Sequence, residues 1–312
     1  MSQLEKSGPL IWAGLLHLSY NMWSDRPAPE WGADYISAEP RLRFDHGLWG
    51  DLLAAMSGAG MNMIVLDLGD GVRYDSHPEI AVQGAWSPAQ LKQELTRARG
   101  MGLEPIPKLN FSTSHDAWLG PYARCVSTDA YYSVCRDLIA EVIELFDRPR
   151  FFHLGMDEET AQHQQHYEYV VVRQHDLWWR DFYFLVEQVE RGGVRPWMWS
   201  DYMWNHPDDF FRRMPRSVLQ SNWYYGAEFE ETIPEVKAYL DLEAHGYDQV
   251  PTGSNWSFDV NFGRTVGCCR ARIAPQRLLG FLQTIWKPTL EPCRERHLQA
   301  IDQVRRAKED WT

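Results

Sequence analysis

The chain has 312 residues, 44% hydrophobic and 24% charged, an ordinary composition for a globular protein with a large core. Its formal net charge of −12 excludes the basic footprint that nucleic acid or an anionic membrane surface requires, so neither is expected as a partner. No apolar stretch approaches the ~20 residues of a membrane span.

The segment 1–20 carries one acid and one Lys before a short apolar run broken by Gly14 and His17. It reads as the entry to a first strand (10–19), bounded by Gly8-Pro9, and not as a signal peptide. Leu48, Leu52 and Met56 sit at helical spacing in 48–60, and a strand over 61–71 runs into an acidic loop. Ser87 as cap, Pro88 in the first turn and Gln90 reaching back predict a helix whose buried face is Leu91, Leu95 and Ala98. A strand follows at 102–111, a long helix at 128–146 and a strand at 149–156. The second half repeats the theme. A helix over 175–193 ends at a Gly pair, and strands fall at 194–202 and 217–226. A helix over 232–246, strands at 247–256 and 278–288, and a helix over 291–310 complete the chain.

About eight strands alternating with helices predict one (β/α)8 TIM barrel, a single catalytic domain over 1–312. The competing doubly wound sheet would show a glycine-rich phosphate turn after its first strand, and none is present. Residues 112–126 and 257–276 read as long loops over the barrel mouth. The five Cys form an odd set without zinc-type pairing, so free thiols in a reducing compartment, the cytoplasm, are expected. The vicinal Cys268 and Cys269 read as small buried hydrophobes. Nothing in the sequence bears on oligomeric state.

In such a barrel the chemistry comes from the C-terminal ends of strands. Those ends supply Asp67 and Asp70, then Asn110 and His115, then Asp157 and Glu158. The later ones supply Asp201, Trp223 with Tyr224 and Tyr225, Asn255, and Trp286 with Lys287. The fourth is the most informative. The apolar run from Phe151 passes through His153 straight into Asp157, Glu158 and Glu159. Burial of such an acid raises its pKa and predicts a general acid still protonated near neutral pH. Tryptophan is the compositional outlier, with 15 residues, and Trp23, Trp199, Trp204, Trp223, Trp256 and Trp286 fall where strands end. Flat apolar rings suit both a core and the faces of sugars. Carboxylates with aromatics and no metal-ligand pattern point to glycoside chemistry with no cofactor and no metal, and to a carbohydrate partner. His163, His166 and His175 read as parts of a solvated loop and not as a zinc site.

His153-Leu154-Gly155-Met156-Asp157-Glu158 resembles the His-x-Gly-Gly-Asp-Glu motif of glycoside hydrolase family 20, the β-N-acetylhexosaminidases and their relatives. The layout of 61–80, the third strand Ile106 to His115 and Trp223 on the sixth are similar in order to that family. The resemblance implies an exo-acting, retaining, substrate-assisted hydrolysis of a terminal 2-acetamido sugar. Glu158 would protonate the leaving oxygen. Asp157 would orient the acetamido group whose carbonyl attacks the anomeric carbon. The strand ends and the placement of the tryptophans give the expected binding pocket: His153, Asp67, His115, Trp199, Asp201, Trp223, Tyr224, Tyr225, Trp256 and Trp286. Three positions depart from the family pattern. No Arg follows the first strand closely, Arg26 being the nearest. Lys287 follows Trp286 where a Glu is usual. Met156 replaces the second Gly of the motif. The residues leave two other readings open: a glycosidase using a Glu158/Asp201 pair, and a non-catalytic sugar-binding barrel.

Overall fold

The computed structural model describes residues 8–29 and 34–311; the leading residues 1–7, read above against a signal peptide, lie outside them. Strands β1 (Ile11–His17), β2 (Met63–Asp67), β3 (Glu104–Lys108), β4 (Phe151–His153), β5 (Arg195–Trp199), β6 (Leu219–Ser221), β7 (Thr252–Ser254) and β8 (Gly280–Thr284) form one parallel sheet. Its order is β6-β5-β4-β3-β2-β1-β8-β7. Bridges Gln220 to Gln249 and Trp223 to Thr252 join its two ends, closing a (β/α)8 barrel.

Period-2 alternation sorts the strand residues. Ile11, Ala13 and Leu15 of β1, Met63 and Val65 of β2, Ile106, Phe151, Trp197, Leu219, Val250 and Leu282 pack in the barrel interior. The alternate residues Trp12, Leu16, Ile64 and Leu66 face the surrounding helices. Continuing the inward series upward places His17, Asp67, Lys108 and His153 as the next interior layer, all buried. Polar residues in that layer form the floor under the mouth.

The helices are α1 (His46–Gly58), α2 (Pro88–Gly100), α3 (Asp129–Leu145), α4 (His175–Arg191), α5 (Tyr202–Asn205), α6 (Pro207–Arg213), α7 (Pro234–Ala244), α8 (Asn261–Arg272) and α9 (Arg294–Trp311). Ser87 caps α2 by accepting from the Gln90 N–H at 3.2 Å, and Leu91, Leu95 and Ala98 are its buried face. The stretch 257–276, expected to be a loop, contains α8. Gly263 and Gly267 lower its helix propensity, and burial of Phe262, Val266 and Cys269 overrides that loss. Helices α5 and α6 likewise fill a connection to which the sequence assigns no element. No described helix is long and apolar enough to cross a membrane. All five cysteines are free thiols; Cys268 and Cys269 are buried on α8.

The seam between β3 and β4 is thin, with one register pair, Lys108 to His153. Pro105 and Pro107 lack the N–H groups that would face β4. Above them Leu109 and Phe111 restore the ladder, donating to the carbonyls of His153 and Leu154 at 3.1 and 3.0 Å. The thinned wall ends directly below the acidic segment.

Candidate active site

The chain leaves β4 through a left-handed path. Gly155, Met156 and Glu158 all have positive φ, at 70°, 74° and 55°. A Cβ on residue 155 would lie 2.1 Å from Asn110 Oδ1, so only glycine fits there. Met156 and Glu158 hold the same region with side chains, a strained arrangement kept by its surroundings. Asn110, just beyond β3, supplies much of that constraint. Its Oδ1 accepts from the N–H groups of Met156 and Ser112 at 3.2 and 3.1 Å, and its Nδ2 donates to Asp157 Oδ1 at 2.8 Å. Glu159, the third acid, is clamped by Arg173 at 2.6 and 2.8 Å, and Arg173 also reaches Asp181 at 3.3 Å. Glu159 therefore anchors the segment and leaves Asp157 and Glu158 to face the mouth.

A cavity of about 450 Å³ opens there, large enough for a sugar. Asp157, Glu158 and His115 line one side; Trp199, Trp223, Tyr225, Trp256 and Trp286 line the rest. Trp23 packs edge-on to both His115 and Trp286, at ring-centroid distances of 4.9 and 5.8 Å. The Trp286 indole donates to the Tyr225 hydroxyl at 3.0 Å, which fixes both rings. Trp256 stands at the rim, half exposed. Tyr20, Asp34, Ile36 and His163 also line the cavity and were not among the residues expected from sequence. The first three lie on the loop after β1, whose sequence carries no strand-end signal. His163 was assigned to a solvated loop, yet its Nε2 comes to 3.4 Å from Glu158 Oε1.

The other expected site residues lie elsewhere. His153 is fully buried in the floor, its ring against Trp197 and Trp199. Asp67 lies in the same layer, 2.6 Å from Lys108 Nζ and 3.4 Å from His17 Nδ1. Tyr224 turns against Phe229 and does not reach the cavity. Asp201 sits under the acidic segment, where its Oδ2 accepts the Glu158 N–H at 2.8 Å and its Oδ1 faces the Trp223 indole at 3.4 Å.

The electrostatics correct one expectation. Burial alone would raise the Glu158 carboxyl, but the His115 ring 3.3 Å away and then the charge of His163 hold it below the usual range. His115 moves the opposite way: burial would lower it, and Asp157 and Glu158 together raise it. Its Nε2 lies 3.3 Å from Glu158 and 3.5 Å from Asp157. Both shifts favour the charged form, imidazolium at His115 and carboxylate at Glu158. The raised carboxyl is Asp201, pushed to about 8 by burial and then by the charge of Asp157. One atom each from His115, Asp157 and Glu158 fall within 4.8 Å of one another, so the trio has the donor set to hold a cation as well.

No protein-family model and no curated protein matches the chain. Solved structures do. A β-N-acetylhexosaminidase from Bacteroides fragilis aligns over 95% of this chain and 65% of its own, with TM-score 0.63 and 15% identity. A family 20 β-N-acetylhexosaminidase from Streptomyces coelicolor aligns over 95% and 64%, with TM-score 0.64 and 13% identity. A family 20 exo-β-N-acetylglucosaminidase from Vibrio harveyi, in complex with N-acetylglucosamine, aligns over 96% and 54%, with TM-score 0.62 and 13% identity. The chain thus spans less than two thirds of each of these proteins. Its fold matches that of the glycoside hydrolase family 20 β-N-acetylhexosaminidases.

Proposed function

We propose that the chain is a glycoside hydrolase that removes a terminal 2-acetamido sugar with retention, the substrate's own acetamido oxygen acting as nucleophile. The observation that carries this reading is the placement of Asp157 and Glu158. They leave one strand together, with carboxylate oxygens within 4.8 Å, and enter an aromatic-lined cavity. A retaining enzyme with its own nucleophile needs a second carboxylate across the sugar, ~5–5.5 Å from the acid. The wall at the end of β8 presents Lys287 instead. Two adjacent acids on one wall suit two atoms of one sugar: the glycosidic oxygen and the acetamido N–H.

In this mechanism Asp157, oriented by Asn110, accepts the acetamido N–H and aims the carbonyl oxygen at the anomeric carbon. Glu158 delivers a proton to the leaving oxygen. That proton comes from His115, 3.3 Å away, once the sugar has displaced water from the cavity. Glu158 then activates the water that opens the cyclised intermediate. Asp201 takes no direct part, since its oxygens are engaged beneath the segment and it does not line the cavity.

The test is a panel of aryl glycosides with and without the 2-acetamido group, together with inhibition by a thiazoline that mimics the cyclised intermediate. Hydrolysis confined to acetamido substrates, with thiazoline inhibition, is expected. Turnover of sugars lacking the group would move the reading to a Glu158/Asp201 pair. Sugar binding without turnover would leave a binding barrel.

A further inference from the structure

Lys287 directly follows the cavity residue Trp286 and itself lines the cavity. It makes no ion pair within 4.0 Å among the described residues. Asp34, an exposed acid that also lines the cavity, is not bonded to it. The Lys287 ammonium lies 5.8 Å from the centroid of the Trp256 ring, which steadies it over the opening. An ammonium at the wall of a sugar pocket, without a carboxylate of its own, is a half-made charge pair.

Its position says which part of a ligand completes the pair. In the barrel order β4 and β8 are four strands apart in either direction, so Lys287 stands diametrically across the mouth from Asp157 and Glu158. A pyranose whose anomeric carbon and C2 face the two acids turns its C4 and C6 substituents toward β8. We propose that the sugar accepted here carries an anionic substituent on that distal side, a sulfate ester, phosphate ester or carboxylate, held by Lys287. The orientation rests on the acetamido reading given above. Lysine is a compact point charge and, unlike arginine, imposes no planar fork, so its position is compatible with any of the three anions. The same feature distinguishes this cavity from one closed by a Glu, which would repel them.

The experiment is calorimetric binding to the whole protein, read without turnover. The probes are 2-acetamido-2-deoxyglucose, its 6-sulfate and 6-phosphate, the corresponding 2-acetamido uronic acid, and glucose 6-sulfate. At least one anionic acetamido sugar should bind about 10- to 100-fold more tightly than the neutral one, the range of a charge-assisted hydrogen bond. That ratio should fall to about 1 in Lys287→Gln and invert in Lys287→Glu, with apo melting curves confirming that both variants fold. Equal affinity for neutral and anionic acetamido sugars would overturn the inference and leave the proposed function standing. Glucose 6-sulfate binding as tightly as its acetamido counterpart would sustain the anion site and overturn the acetamido reading. A preference that survives in Lys287→Glu would assign the anion to another group and overturn the role of Lys287.

Discussion

In the barrel floor Asp67 meets Lys108 and His17, whereas at the mouth Asp157 and Glu158 share His115, Glu158 also meets His163, and Asp201 lies beneath them with no ion pair among the described residues. Both groups are largely buried, and the outcomes differ. In the floor, burial would raise Asp67, but the charge of Lys108 and the His17 ring bring it down to about 2. Burial lowers His17, so that cluster centres on one tight ion pair, Asp67 with Lys108. At the mouth carboxylates outnumber their partners. Glu158 is lowered, His115 is raised and Asp201 rises to about 8. A balanced cluster holds the fold; an unbalanced one leaves titratable groups with perturbed pKa values beside a cavity, the setting acid–base chemistry uses.

The comparison breaks most sharply at Glu158. Glu158→Gln removes the transferable proton and keeps the shape, and a loss of about 10²- to 10⁴-fold in kcat/KM is expected on substrates with poor leaving groups. Activated aryl glycosides should suffer less. Equal and negligible losses on both would take the acid role from Glu158. The counterpart in the floor is Lys108→Met, which strands a buried Asp67 and should cost about 3–5 kcal/mol in denaturant unfolding. The double change Lys108→Met with Asp67→Leu should recover most of it. If the single variant is as stable as the parent, the floor pair is not a structural one.

Asp157→Asn is next in size. About 10²- to 10³-fold is expected to be lost on acetamido substrates, the scale of losing one oriented electrostatic contact, with the melting temperature retained. Full turnover in that variant would end the substrate-assisted mechanism. A last variant sharpens the contrast by titration. Asp201 binds its proton more tightly folded than unfolded, so its stabilising contribution is complete below pH 3.8 and is lost as pH rises to about 8. Asp201→Asn keeps an acceptor for the Glu158 N–H and does not titrate. Its stability relative to the parent should therefore climb with pH across that window by up to ~1.4 kcal/mol per pH unit. It should retain most of the activity that Glu158→Gln loses. Parallel stability curves for parent and variant would show that Asp201 is ionised throughout.

The barrel was legible because strand and helix segments alternate along the chain, but the floor was not: His153 and Asp67, read as pocket residues, are buried beneath the cavity. Once Ile11, Ala13 and Leu15 face inward, His17 must as well, and each strand end can be read off in turn. The same reading placed Asp157 and Glu158 at the mouth and identified most of the aromatic wall. It failed where position depends on a distant segment. Tyr20, Asp34 and Ile36 reach the cavity from a loop with no periodic signal. The direction of the Glu158 shift depends on His115, more than forty positions away in a different loop, so burial alone predicted the wrong sign. Asp201 looked like a ligand residue because it ends a strand, and only the path of the backbone at Glu158 reveals what it holds. Helix α8 was hidden by two glycines, although Phe262, Val266 and Cys269 carry a buried face at i, i+4 and i+7.

Met156 makes the acidic segment resistant to gradual change. Its left-handed backbone costs ~1–2 kcal/mol relative to an easy conformation, which glycine would relieve. The side chain, however, is buried, with its sulfur 3.9 Å from the Arg173 guanidinium, and emptying such a space typically costs ~2–5 kcal/mol. Either residue type alone is a local optimum for its own surroundings, and the path between them passes through a less stable intermediate. Position 156 is thus epistatic with whatever could refill that space. A library of single substitutions selected for stability should reject Met156→Gly, and one that pairs this change with an enlarged neighbour should recover it.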